Sequence, residues 1–151
     1  MVTMAGRTRP TDNGIESFVK NVLVGAASSR FHRPPTGQGL NEIAQNTIRS
    51  MRSYVQTSDF FRGLPANHLL TEREAGEAYC RSIEGEEYAI YFPAGGEVTL
   101  GLDGEKHKFS ITWLDILQSQ WGEESELDVV DGRVRIAAPT GKHSLAFIKT
   151  K

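Results

Sequence analysis

The stretch Glu86–Leu102 constrains the fold more than any other part of the sequence. Residues 88–92 form an apolar, aromatic run with the composition of a strand that is buried on at least one face. Residues 93–96, Pro-Ala-Gly-Gly, interrupt that run with side chains that fix or free the backbone angle φ, as a chain reversal requires. Residues 98–102 then alternate with the period of a strand that has one buried face. The stretch therefore predicts two strands joined as a β-hairpin.

The rest of the C-terminal part repeats this rhythm of short strands and tight turns. Asp131-Gly132 lies between two alternating segments and is a strong two-residue turn signal. No helical pattern separates the strands, which favours an antiparallel sandwich over a parallel α/β sheet. The predicted strands are Ala78–Ile83, Glu87–Phe92, Glu97–Leu102, Lys108–Asp115, Glu126–Val130, Arg133–Ala138 and Ser144–Lys149.

The N-terminal part reads as helix. Apolar side chains recur at helical spacing from Gly14 onward and again from about Leu40 to Gln56, so each helix has one apolar stripe. The predicted fold class is α+β, with two N-terminal helices packed on a C-terminal antiparallel β-sandwich of about seven strands. The predicted division is a flexible tail over 1–13, a helical segment over 14–70 and a sandwich domain over 71–151. The two stripes must be covered by the sandwich, by each other or by a second chain, and the last case predicts a homo-oligomer through the helical faces.

Composition and charge exclude several classes of function. A formal net charge of −2 argues against nucleic-acid binding, which needs a concentrated basic face. No apolar run approaches the roughly 20 residues that span a bilayer, so no membrane association is expected. Cys80 is the only cysteine, which excludes an internal disulfide and a cysteine zinc site, and no cofactor motif is present. Residues 1–9 lack the apolar core of a secretory signal, which predicts a cytoplasmic protein unless the sequence is part of a secreted one.

Few residues are candidates for binding chemistry. Arg30, His32 and Arg33 form the only tight cluster of basic and imidazole side chains in the sequence. They could bind a carboxylate, a phosphate or a sugar hydroxyl, but a solvated loop before Pro34-Pro35 is the preferred explanation. Trp121 follows a polar Gln-Ser-Gln segment and precedes a glycine, a loop setting in which an exposed indole could stack on a sugar. Trp113 alternates with apolar neighbours and is assigned to the core instead. The remaining histidines, His68, His107 and His143, are scattered, so no metal site is predicted.

The order of these segments resembles the C-terminal region of apiosidase-like bacterial glycoside hydrolases, in which a TIM-type barrel is followed by a small β-sandwich that carries a collagen-binding label. The residues that carry the resemblance are Glu87–Leu100, Ile111–Asp115, Leu23–Ala27, Ile48–Arg52 and Phe60–Pro65. The resemblance implies that residues 14–70 correspond to the last barrel segment with its closing helix. The catalytic carboxylates of the family would then lie before residue 1, so the catalytic residues of this chain stay unknown. Arg30, His32 and Arg33 would lie at the C-terminal end of the last barrel strand, where barrel enzymes place their sites.

Three hypotheses on function follow, in order of preference. The first is a non-catalytic accessory module of glycoside-hydrolase-like origin that stabilises a larger protein or binds carbohydrate or another extracellular polymer. The second is a reduced or partner-completed glycoside hydrolase that uses the region around Arg30–Arg33. The third is a self-associating structural protein.

Overall fold

The computed structural model describes residues 12–27, 29, 40–102, 108–139 and 141–151, and these form three layers. The helical layer contains α1 (Asp12–Leu23) and α2 (Glu42–Thr57). The strands that make the other two layers are β1 (Leu64–Pro65), β2 (Leu70–Thr71), β3 (Tyr79–Ile83), β4 (Glu87–Phe92), β5 (Glu97–Gly101), β6 (Phe109–Asp115), β7 (Gln120–Trp121), β8 (Ser125–Leu127), β9 (Arg133–Ala137) and β10 (Ser144–Thr150). Single 3-10 turns at Phe60–Arg62 and Asn67–Leu69 flank β1.

The strands form two antiparallel sheets. The large sheet has the order β1-β3-β4-β10-β6-β7, with β8 also paired to β6, and the small sheet has the order β2-β5-β9. The predicted α+β class, with N-terminal helices on an antiparallel β-sandwich, is therefore confirmed. All seven predicted strands are present, and the described chain adds three two-residue strands, β1, β2 and β7, that the alternation pattern did not predict.

The large sheet is the middle layer and is buried on both faces. In β4, Tyr88, Ile90 and Phe92 point into the sheet–sheet core, where they meet apolar side chains of the small sheet. The alternate residues Ala89 and Tyr91 point into the helix–sheet core, which α1 and α2 cover. This two-sided burial explains why residues 88–92 are a continuous apolar run rather than an alternating one.

The connection at residues 93–96 does not make the predicted hairpin. β4 pairs with β3 and β10, whereas β5 pairs with β2 and β9, so the connection carries the chain from the large sheet to the small one. Gly95 and Gly96 have φ of 81° and 109°, a region that only glycine adopts without strain. The turn residues correctly marked a reversal. They could not show that both edges of β4 were already paired.

The turn at Asp131-Gly132 is formed as predicted, but only Val130 and Arg133 pair across it. Both residues have positive φ, 50° and 69°, as a type I′ turn requires, and Val130 and Arg133 exchange two backbone hydrogen bonds of 2.9 Å. The preceding strand ends at Leu127 rather than Val130, because β8 pairs with β6 in the large sheet while β9 joins the small sheet. This turn is thus a second crossing between the sheets.

The helices bury their apolar stripes on the large sheet. Ile15, Val19 and Leu23 of α1 and Met51 and Tyr54 of α2 all belong to the helix–sheet core. The apolar stripes of both helices are therefore covered within the chain. Self-association through the helical faces stays a prediction, but it was based on stripes left uncovered, and the structure covers them. None of the described helices is long and apolar enough to cross a membrane.

The helix bounds differ slightly from the predicted ones. α1 begins at Asp12, inside the stretch assigned to a flexible tail, and α2 begins at Glu42 with Asn41 as its N-cap, whose Oδ1 accepts a 2.8 Å hydrogen bond from the amide of Ala44. The division of the chain at residue 70 stays a prediction, although the helices share one core with the large sheet.

Candidate functional site

An open cleft of about 460 Å³ lies where β6 turns into β7 and where the chain enters β10. We call it the tryptophan cleft, because the half-buried residues Trp113 and Trp121 both line it. Their indoles lie on opposite faces of the large sheet, Trp113 against the sheet–sheet core and Trp121 against the helix–sheet core. The size of the cleft falls within the range of small-molecule sites in proteins. The residues that line it are Trp113, Leu114, Asp115, Leu117, Gln118, Gln120, Trp121, Gly122, Pro139, Gly141, Lys142 and Ser144.

The β6–β7 turn that forms one side of the cleft is internally braced. The Asp115 carboxylate accepts a 2.9 Å hydrogen bond from the amide of Gln118, and Asp115 pairs with Gln120 across the two strands. Ser119 has a φ of 54°, so the chain reverses sharply there. The turn therefore presents Gln118 and Gln120 at a fixed edge of the sheet.

Three polar residues of α2 hold this turn in place. Asn46 Nδ2 donates to the carbonyl of Leu117 at 2.9 Å, and Ser50 Oγ donates to the carbonyl of Ile116 at 2.8 Å. Ser53 Oγ accepts a 2.8 Å hydrogen bond from the indole Nε1 of Trp121. The spacing of four and three residues puts Asn46, Ser50 and Ser53 on one face of the helix. The helix thus fixes both the turn and the orientation of the indole.

The opposite wall, residues 141–144, is held by a buried polar chain. The Tyr91 hydroxyl lies 2.7 Å from Nδ1 of His143, and Nε2 of His143 lies 3.4 Å from the Asp12 carboxylate. Asp12 also pairs with Lys142 at 2.5 Å, and this ammonium, with a smaller contribution from His143, holds the pKa of the Asp12 carboxyl below its usual range. Tyr91 and His143 are fully buried. These hydrogen-bonded side chains therefore position the wall, and a ligand in the cleft cannot reach them.

Ser144 ends this wall and is a residue whose side chain has unused hydrogen-bonding capacity. The residue is 6% exposed, and its Oγ is buried without a partner among the described residues. A buried hydroxyl without a partner costs free energy. This Oγ has almost no accessible surface, so a ligand in the open cleft does not contact it directly.

A second cleft of about 280 Å³ adjoins the first and shares Trp121 with it. We call it the side cleft. It lies on the face of the large sheet that continues beyond the end of α2, and it contains hydroxyl side chains and one ion pair in which Lys149 lies 3.1 Å from Glu87. Its lining residues are Thr57, Ser110, Thr112, Trp121, Glu124, Phe147 and Lys149. Trp121 is therefore the residue at which the two clefts meet.

The predicted site residues have different outcomes. Trp121 lies in strand β7 rather than in a loop, is half-buried, and makes an edge-to-face contact with Phe147 at 6.2 Å between ring centroids. Its role in binding a ligand stays a prediction. Arg30, His32 and Arg33 lie outside the described residues, so their predicted role also stays a prediction.

The sequence pattern assigned Trp113 to the core and predicted no site at His68, His107 or His143. His107 lies outside the described residues. Trp113 packs against the sheet–sheet core and lies 5.9 Å from the ring of Phe92, as its alternation predicted, but it also lines the cleft. His68 is exposed on a 3-10 turn and His143 is buried. In the parts of the chain that the structure describes, no three His, Cys, Asp or Glu side chains come together as a metal would require.

The sequence analysis missed the residues that position the cleft. Asn46, Ser50 and Ser53 look like ordinary polar positions of a helix, and Gln118, Gln120 and Ser144 look like turn and strand residues. A signal was nevertheless available, because Ser50 lies next to Met51 inside the apolar stripe of α2 and is fully buried. A serine at a buried helix position needs a partner outside its own helix or a bond back to its own turn.

The comparisons with known proteins find a shared fold. No family model matches the chain, and no curated protein matches it. Among solved structures, a glycoside hydrolase of family 5 from Bacteroides vulgatus ATCC 8482 is similar to 94% of this chain with a TM-score of 0.66 and 13% identity. A second structure, described as a glycoside hydrolase, is similar to 80% of this chain with a TM-score of 0.57 and 13% identity.

The chain spans only 37% and 30% of the lengths of these two structures. The likeness therefore supports the predicted resemblance to proteins of the glycoside-hydrolase type at the level of the fold. The apiosidase-like and collagen-binding labels stay predictions, as do the activity and the ligands of the chain.

Proposed function

We propose that this protein is a non-catalytic accessory module of a glycoside-hydrolase-type protein, and that it binds carbohydrate in the tryptophan cleft. The observation that carries the proposal is the position of Trp121, a half-buried indole fixed by Ser53 at the junction of two open clefts. The fold shared with two glycoside hydrolase structures gives the proposal its biological context.

The chemistry of the cleft suits a sugar. A pyranose has apolar C–H faces that pack against aromatic rings, and hydroxyl groups that both donate and accept hydrogen bonds. The residues that line the cleft include Trp121, whose indole offers an aromatic face, and Gln118 and Gln120, whose exposed side-chain amides both donate and accept hydrogen bonds. A few convergent polar groups beside aromatic side chains are the usual make-up of a small-molecule site.

Isothermal titration against a panel of soluble polysaccharides and collagen fragments tests this proposal. We expect heat with at least one polysaccharide, and loss of that heat in Trp121→Ala. Because Trp121 also packs on Phe147, the variants Gln118→Ala and Gln120→Ala provide a second test at exposed positions that the fold does not need. Phe61→Ala is the matched control, since Phe61 is 92% exposed and lines neither cleft.

A second candidate function is scaffolding, in which the module stabilises a larger protein by docking against it. The exposed apolar side chains of Phe61 and Leu64, which are 92% and 71% exposed beside the edge strand β1, favour this role. Absence of heat with every polysaccharide and collagen fragment would leave scaffolding as the surviving proposal. Phe61→Ser and Leu64→Ser would then weaken the docking and leave the isolated chain folded.

A further inference from the structure

The charged side chains around the two clefts limit the kind of carbohydrate that can bind. Lys142 in the tryptophan cleft is paired with Asp12 at 2.5 Å, and Lys149 in the side cleft is paired with Glu87 at 3.1 Å. Both cations in the described lining are thus already neutralised by carboxylates of the chain itself. A uronate or a sulfate ester that approached either ammonium would also meet the carboxylate already paired with it, which weakens the attraction that the lysine can offer.

The acidic side chains point to the same conclusion. Asp115 lines the tryptophan cleft and Glu124 lines the side cleft, and neither forms an ion pair within the part of the chain that the structure describes. Within the described lining of the two clefts, an anionic ligand would therefore meet two carboxylates and no unpaired cation. Like charges brought together across a binding surface oppose binding and select against such ligands.

The tryptophan cleft also presents uncharged groups with unused hydrogen-bonding capacity. The side-chain amides of Gln118 and Gln120 are exposed and make no hydrogen bond to any other described residue. Amides and hydroxyls match the hydroxyl groups of a sugar without needing a charge on the ligand.

Resting on the proposed function, we propose that the ligand is a neutral polysaccharide, built from uncharged sugars, and that polysaccharides bearing uronate or sulfate groups are rejected. The selectivity comes from Asp115 and Glu124, which repel anions, and from Asp12 and Glu87, which occupy the two lysines.

Affinity electrophoresis with the full chain tests the inference, using β-glucan, uronate-free arabinoxylan and mannan as neutral probes and polygalacturonate as the acidic one. We expect at least one neutral probe to retard the protein equally at low and at physiological salt, because no ion pair forms. We expect polygalacturonate to give no retardation. In Glu124→Lys, an exposed position where folding is not at risk, polygalacturonate should retard the protein at low salt and lose this effect at physiological salt.

The experiment distinguishes failure of the neutral-ligand inference from failure of the proposed carbohydrate binding. Retardation of the parent chain by polygalacturonate that weakens with salt and is lost in Lys142→Met or Lys149→Met would overturn the neutral class and leave carbohydrate binding intact. No retardation by any probe, with the chain folded by circular dichroism, would overturn the proposed carbohydrate binding itself.

Discussion

The hydroxyl of Tyr91 and Nδ1 of His143 lie 2.7 Å apart in the interior, with their rings stacked at 6.1 Å between centroids. The carboxylate of Asp12 can only accept a hydrogen bond, so Nε2 of His143, which faces it, carries a proton; in the tautomer with that single ring proton, Nδ1 is unprotonated. Nδ1 is then the acceptor and the Tyr91 hydroxyl the donor. The hydrogen bonds among Tyr91, His143 and Asp12 connect the start of α1 to the wall of the tryptophan cleft.

Removal of the Tyr91 hydroxyl should destabilise the fold. Tyr91→Phe leaves the buried Nδ1 without a donor, and we expect the free energy of unfolding to fall by about 1–3 kcal/mol. The measurement is urea unfolding followed by fluorescence. Tyr79→Phe is the matched control, because Tyr79 is only half-buried and its hydroxyl donates to Glu16 near the surface. Equal losses in the two variants would contradict the importance of the buried contact.

A second prediction concerns Arg81, which is 6% exposed and joins three segments. Its guanidinium donates hydrogen bonds to the carbonyl oxygens of Leu23, Phe60 and Gly63 at 2.7, 2.8 and 2.5 Å. One side chain thus provides hydrogen-bond donors for backbone carbonyls at the end of α1 and at the 3-10 turn. Arg81→Met removes all three donors and should lower the free energy of unfolding by about 3–5 kcal/mol.

The control for Arg81→Met is Arg135→Met. Arg135 is 74% exposed and pairs with Glu97 on the surface of the small sheet, so its loss should cost about 0–1 kcal/mol. Hydrogen exchange should also accelerate around residues 58–65 in the Arg81 variant and not in the Arg135 variant. Similar stability losses in both variants would argue against Arg81 as the residue that joins these segments.

Local sequence patterns predicted the elements of this fold well. Period-two alternation located β5 and β9, and the 3.6-residue stripe located both helices, because in each case burial on one face leaves a regular trace in the sequence. The type I′ turn at Asp131-Gly132 was predictable for a similar reason, since few residue pairs tolerate two positive φ angles.

The pairing of the strands could not be predicted in the same way. β4 and β5 are adjacent in sequence but lie in different sheets, and nothing in residues 93–96 distinguishes a hairpin turn from a crossing between sheets. The two-residue strands β1 and β7 are too short to show alternation. The tryptophan cleft escaped detection because it is assembled from β6, β7, the entry to β10 and one face of α2, which only the tertiary fold brings together.

Alkaline pH should destabilise the fold through groups that are buried in their neutral form. Burial raises the pKa of the Cys80 thiol from 9.0 to about 12 and also raises the pKa of the Tyr54 and Tyr91 hydroxyls. Above about pH 9 the unfolded chain loses protons that the folded chain retains. The free energy of unfolding is therefore unaffected by Cys80 below that pH and falls as the pH rises toward about 12, with a limiting slope of about 1.4 kcal/mol per pH unit for each such group.

Denaturant unfolding at several values between about pH 8 and about pH 10.5 measures this slope. Cys80→Ala is the informative variant, because it removes one titrating group and should flatten the decline in the lower part of the range. The same burial predicts that Cys80 reacts with iodoacetamide only after unfolding. A stability that is constant across the range, or rapid labelling of the folded chain, would contradict this account.

The last prediction separates the orientation of Trp121 from its mere presence. Ser53 Oγ accepts the indole Nε1 hydrogen bond at 2.8 Å, so Ser53→Ala keeps the aromatic ring but releases it from its fixed position between the two clefts. We expect carbohydrate affinity to fall several-fold in this variant, while the free energy of unfolding falls by only about 0.5–1.5 kcal/mol. Ser53→Thr retains a hydroxyl acceptor and should restore most of the affinity, and Arg52→Ala, at an exposed position of the same helix, should leave binding unchanged. Unaltered binding in Ser53→Ala, measured by titration with the polysaccharide that the parent chain binds, would mean that α2 stabilises the turn without organising a binding surface.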